Sequence, residues 1–184
     1  MKARAVRGLD PATSLRYNAA RIIAVRLDEV CSFDPAIRDP RNVDDLHAMR
    51  IAAKRLRYVL EICGFAFGHE LRQAEKEAKW LQDVLGEVHD CDVLLPLVED
   101  HLARLRDADA EWLGARAADP SDLEALLAAL PAAPNRTRYR GLKVLGAYVE
   151  ARRGLLYRQF LDRWDTLLHD RWRERIEAEL RASP

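Results

Sequence analysis

Residues 46–63 read "LHAMRIAAKRLRYVLEIC". Wound at roughly 100° per residue, Met49, Ala52, Ala53, Leu56, Val59, Leu60 and Cys63 gather on one side of a helix. That is a core-facing stripe. On the other side His47, Arg50, Lys54 and Tyr58 recur at i, i+3, i+7 and i+11, flanked by Arg55 and Arg57. No acid interrupts these bases before Glu61. A solvated helix face normally mixes signs, because like charges one turn apart repel and opposite charges attract. An unmixed face of donors is relieved by an anion lying along it. The pattern therefore reads as a helix with a core side, and its other side either as an ordinary solvated polar face or, as the unmixed sign leads us to expect, as a surface for an anion.

The remainder of the chain agrees on fold class. It has 184 residues, 49% hydrophobic and 33% charged, with only eight glycines and eight prolines, which suits one helical domain with a sizeable core. We expect an all-α bundle of about six to seven helices in a single domain spanning 1–184, with its core at about 14–181. Asp10-Pro11 and Thr13-Ser14 start a first helix reaching about Cys31, and "SFDPAIRDPRN" is a Pro-marked loop. Asp44 or Asp45 is the expected cap of the second helix, from about Leu46 to Phe67, with Gly68 ending it. A third helix is expected from about Glu70 to Leu85 with Gly86 as its C-cap. Asp90 or Asp92 would cap a fourth reaching about Ala108, with Pro96 near its start. A short helix capped by Ser121 or Asp122 precedes the Pro131–Pro134 loop. Helical periodicity from Asn135 or Thr137 to about Leu180 is too long for one helix, so a break is expected near 163–169.

Charge adds to total neutrality but is segregated along the chain. There are 30 basic and 30 acidic residues, which argues against a general nucleic-acid binder, whose domain is usually strongly basic. Yet Arg136–Arg158 holds seven bases (Arg136, Arg138, Arg140, Lys143, Arg152, Arg153 and Arg158) against Glu150 alone, and Asp83–Glu124 holds twelve acids against three bases. Arg136, Arg140, Lys143 and Arg158 share one side of their helix, with Ala147, Ala151 and Gly154 between them. Those small residues suit either a close-lying chain-like ligand or an ordinary helix contact.

No window is apolar enough to span a bilayer, and "MKARAVRGLDP" lacks the apolar core of a secretion signal. We therefore expect a cytoplasmic protein with no membrane partner. Cys31, Cys63 and Cys91 form neither a disulfide framework nor a Cys-x-x-Cys site, and read as buried thiols. His89, Asp90, Asp92 and His101 match no helical metal motif. The aspartates read better as helix caps, with His89 and Asp90 in a turn, so no metal and no cofactor is expected. Trp80, Trp112, Trp164 and Trp172 read as core or inter-helix packing. No Gly-rich phosphate loop and no nucleophile arrangement is apparent, so no enzyme is expected.

"LHAMRIAAKRLRYVLE" followed by "LQDVLGEVHDCDVL" resembles the CHAD family, the conserved-histidine α-helical domain. Its pattern, His-x-x-Arg-aliphatic-x-x-(Lys/Arg)-(Arg/Lys)-Leu-Arg and then Leu-Gly-x-x-x-Asp, falls on His47, Arg50, Ile51, Lys54, Arg55, Leu56 and Arg57, then on Leu85, Gly86 and Asp90. "AYVEARRGLLYRQFLDRW" (147–164) is similar to the family's Arg-rich helix. The resemblance spans about residues 14–165. It implies a helical bundle that binds inorganic polyphosphate without catalysis. His47, Arg50, Lys54, Arg55 and Arg57 carry over as ligand contacts. Tyr58 joins them by its place on the same face. Lys76, Lys79, Arg140, Lys143, Arg152, Arg153 and Arg158 follow from charge and helix position. The chain departs from the family in showing one clear basic helix rather than two repeats, and in carrying His89 before Asp90. Two other readings compete: a histidine phosphotransfer module, in which Ile51 would stand where a small residue is usual, and a helical protein-interaction bundle.

Overall fold

The computed structural model describes residues 2–116, 119 and 122–182. Six α-helices and no strand occur among them: α1 (Leu15–Cys31), α2 (Val43–Cys63), α3 (His69–Gly114), α4 (Leu123–Ala129), α5 (Arg136–His169) and α6 (Trp172–Arg181). This is the all-α class expected. Short 3-10 turns follow α1, α2 and α4.

Several boundaries differ from expectation, each for a local reason. Ser14 caps α1 by accepting from the Tyr17 amide. α2 begins at Val43, with Asp44 and Asp45 inside its first turn rather than capping it. Their carboxylates still sit favourably at the positive end of the helix, and Asp45 accepts from the Asn42 side chain at 2.7 Å. α2 stops at Cys63 and a 3-10 turn at Gly64–Ala66 fills the gap before Gly68. The two helices expected over 70–108 are one continuous α3 of 46 residues with Pro96 inside it. Gly86 is not a C-cap, and neither Asp90 nor Asp92 is an N-cap. His89 and Asp90 are helical, not in a turn. Asp122 caps α4 through the Ala125 amide at 2.9 Å; Ser121 lies outside the described residues. The break in the last helical stretch falls just past the expected window, where Arg171 takes a left-handed conformation (φ 52°, ψ 45°) between α5 and α6. No proline or glycine marks it.

The chain falls into two compact units, residues 1–89 with 155–184, and residues 90–154. The first holds the main core, built from α1, α2, the start of α3, the end of α5, and α6. Met49, Ala52, Ala53, Leu56, Leu60 and Cys63 of α2 are all buried there, as their spacing predicts. Phe160 and Trp164 are fully buried, and Trp164 meets Trp172 edge-on at 6.5 Å between ring centroids. The buried Tyr157 hydroxyl donates to the Ile37 carbonyl at 3.0 Å. At the start of α3 the Glu179 carboxylate of α6 accepts from the amides of Gly68 and of Glu70, the latter at 2.8 Å. Cys63 and Cys91 are buried, and burial pushes the half-buried Cys31 thiol up to about 11.

The second unit pairs the end of α3 with the start of α5 around a polar knot. Asp109, nearly buried, accepts from the Asn135 amide at 3.2 Å and from its side chain at 2.9 Å. The Tyr139 hydroxyl lies against Asp109 and the Leu105 carbonyl. Burial and then Asp109 hold its pKa up at about 12.

Trp164→Ala empties a fully enclosed aromatic site, so it should destabilise the chain by about 3–5 kcal/mol. A urea denaturation series against wild type measures this directly.

Candidate anion-binding site

With one side of α2 fixed in the core, the other presents the basic residues. They are less solvated than a charged surface usually is. His47, Arg50, Lys54, Arg55 and Arg57 are all half-buried, and only Tyr58 is exposed. α3 lies against the His47 and Arg50 end of this side. A Cβ added at Gly86 would lie 3.4 Å from Arg50 Nε, so the absence of a side chain there makes room for the guanidinium stem. One turn on, the His89 ring packs on the His47 ring at 4.2 Å between centroids and 38° between planes. Gln82 lies one turn before Gly86 on the same side of α3.

This contact brings together polar atoms that have no partner. His47 Nδ1, Arg50 Nε, Gln82 Oε1 and His89 Nδ1 are buried and make no hydrogen bond. Buried polar groups are normally satisfied, and an orphan marks strain or a site for a ligand or water. Charge is unbalanced in the same place. Arg57 Nε pairs with Glu61 at 3.1 Å, but no described acid pairs with Arg50 or Lys54. The Tyr58 ring gathers two cations, Arg57 at 4.9 Å and Lys54 at 5.7 Å from its centroid, an arrangement that draws on the ring's negative face. Burial, then His89, then Arg50 hold the His47 imidazole below its ordinary range, with Asp44 opposing them.

The other residues expected at the site divide by location. Lys79 is exposed, seven residues and two turns before Gly86, and so extends the same flank of α3. Lys76 instead lines a hollow of about 560 Å³ with Trp80 and the Glu77–Arg163 ion pair. Arg158 is exposed on α5 in the same unit. Arg140, Lys143, Arg152 and Arg153 belong to the second unit. Arg140 and Lys143 are exposed; Arg152 is half-buried. Arg153 turns toward α3, where its guanidinium donates to Asp92. A Cβ at Gly154 meets nothing within 4 Å, so no helix lies against that glycine. His89 and Gln82 were not foreseen as site residues. The signal for them was their i, i+4, i+7 spacing with Gly86, legible only once α3 is known to be unbroken.

Two outcomes follow. Gly86→Ala should be tolerated or stabilise by up to about 1 kcal/mol, because it gains helix propensity and its methyl just touches Arg50, whereas Gly86→Leu should displace Arg50 and destabilise. Thermal melts of the pair read the difference. The depressed His47 pKa means the folded chain opposes protonation, so the associated stability is present above about 6.5 and is lost as pH falls through the lower folded value. In urea titrations from pH 8 to pH 4, His47→Gln should lose less stability than wild type across that window.

Comparison with curated proteins and with solved structures found no match. A family model, the CHAD domain, matches residues 21–183. That span covers α2 with its basic face and the Gly86–His89 flank of α3, and on it the chain belongs to the CHAD family.

Proposed function

We propose that the chain binds inorganic polyphosphate along the basic side of α2 and does not consume it. The observation that carries this reading is the set of half-buried cations and unpartnered donors at the α2–α3 contact, where Arg50 and Lys54 lack any described acid. Arg forks match phosphate oxygens in pairs and Lys supplies point charge. His47, Arg50, Lys54, Arg57 and Tyr58 run along about three turns of helix, with Lys79 beside them, a length that suits a repeating anion better than a single phosphate. Exposed ion pairs contribute only about 0–1 kcal/mol each, so affinity comes from many contacts made at once. Arg140, Lys143 and Arg158 on α5 offer further exposed cations to the same kind of ligand. Membership of the CHAD family supports the polymer as ligand.

A histidine phosphotransfer role is less well supported. Such a histidine must present its imidazole to a partner protein, and here the His47 ring is half-buried against His89 with Nδ1 enclosed.

Long-chain polyphosphate should bind with an affinity that drops steeply as salt rises, as polyanion binding does through counterion release, and its length should be unchanged after incubation. Arg50→Ala should weaken binding about tenfold at every pH, equivalent to ~1.4 kcal/mol. The imidazole of His47, held low by burial, His89 and Arg50 in the free chain, gains a negative neighbour on binding. Binding then takes up a proton, and affinity must rise as pH falls between about 8 and 5. His47→Ala should flatten that rise and Arg50→Ala should keep it. Isothermal titration in two buffers of different ionisation enthalpy measures the proton uptake. Steady shortening of the polymer, abolished by His47→Ala, would defeat the non-enzymatic reading.

A further inference from the structure

In the second unit, α3 and α5 run antiparallel, as three contacts establish. Asp92 meets Arg153, Val98 lies 3.7 Å from a Cβ built at Gly146, and Asp109 meets Asn135. Val98 on α3 and Val149 on α5 are buried between them. Turned from these by roughly 40°, 100° and 140°, α3 carries Leu94, Leu97 and Val93, and α5 carries Leu145, Tyr148 and Val144. The rotations have the same sense on both helices, and in an antiparallel pair that brings both sets onto one face of the hairpin. All six are exposed, from 39% at Leu94 and Leu145 to 62% at Val144 and Tyr148. Contiguous apolar surface of this kind on a soluble chain marks an interaction site.

Charge identifies what covers it. The α3 segment 90–114 has seven acids and two bases, a net charge of −5; the α5 segment 136–154 has six bases and one acid, a net charge of +5. We propose that this face is a homodimer interface, in which two hairpins close into an antiparallel four-helix bundle with α3 of each chain lying on α5 of the other. Two in-line arrangements have two-fold symmetry. A two-fold axis across the helices would set α3 on α3 and α5 on α5, stacking like charge on like. An axis along the helices sets each −5 segment between two +5 segments and keeps every neighbouring pair antiparallel, the packing of up-down bundles. Leu97 and Tyr148 lie at the same height along the hairpin, so this arrangement seats Leu97 against Tyr148 of the partner subunit. The face is distinct from the α2 site, and the proposal does not depend on what that site binds.

The test is light scattering of the full chain over a concentration series, with an orientation-specific cross-link. Wild type should reach twice its chain mass of 21.0 kDa. Leu97→Glu with Tyr148→Glu, two exposed positions, should return it to the single-chain mass with helical circular dichroism unchanged. In a Cys31→Ser background, chains carrying Leu97→Cys mixed with chains carrying Tyr148→Cys should oxidise mainly to the mixed disulfide. The cross-link decides the matter even if the double variant misfolds. A single-chain mass at every concentration, a dimer that survives the folded double variant, or disulfides forming mainly between two Leu97→Cys chains would each overturn the proposal.

Discussion

Everything at the proposed site depends on one helix serving two incompatible surroundings. α2 is anchored by seven fully or nearly buried residues, so its rotation about its own axis is not free. The basic residues must then face wherever the opposite side points, and that side is flanked by α3. Arg50 and His47 are consequently held half in the protein, Arg50 with no described acid paired to it and His47 with Asp44 opposing the cations around it. In water such a row of cations would be screened and mobile. Here the side chains are half-buried, so part of that freedom is already lost on folding. Under the proposed function, a multivalent anion would meet donors already partly ordered, which lowers the entropic cost of holding it.

The α2–α3 contact also gives physical meaning to the glycine and the second histidine. A side chain longer than a methyl at Gly86 would compete with Arg50 for the same volume. His89 packs on the His47 ring at a tilt of 38°, and burial is the leading reason that ring's protonation is disfavoured. The two features set this flank of α3 against the basic side of α2.

The helical class, the core side of α2 and the basic side opposite it were all legible in the sequence, because 3.6-residue periodicity records burial directly. What could not be read was where helices end. Gly86, Asp90 and Asp92 carry the chemistry of a C-cap followed by N-caps, and local propensity favours a break there. Tertiary contacts override it: Gly86 accommodates Arg50, and Asp92 accepts from Arg153. Conversely, the break at Arg171 has no local signal. Trp164 and Trp172 lie on either side of it and both bury in the same core. Lys76 and Arg153 show the limit of charge as a guide. Each is a base on a plausible helix, but only position in three dimensions distinguishes a free cation from one set beside the Glu77–Arg163 pair or bonded to Asp92.

The reach of Glu179 back to the amides of Gly68 and Glu70 bears on the order of events during synthesis. The first turn of α3 has backbone donors that no side chain from its own neighbourhood receives; their acceptor is more than a hundred residues away in the chain. Residues 90–154 emerge from the ribosome in between and can reach their own hairpin contacts first. The larger unit gains this cap only once α6 has been made, so its closure rests on a contact of long range in sequence. α1 and α2 pack together in that unit's core and are made well before α6. A nascent chain of this protein therefore has α1 and α2 in hand before the amides that open α3 gain their acceptor.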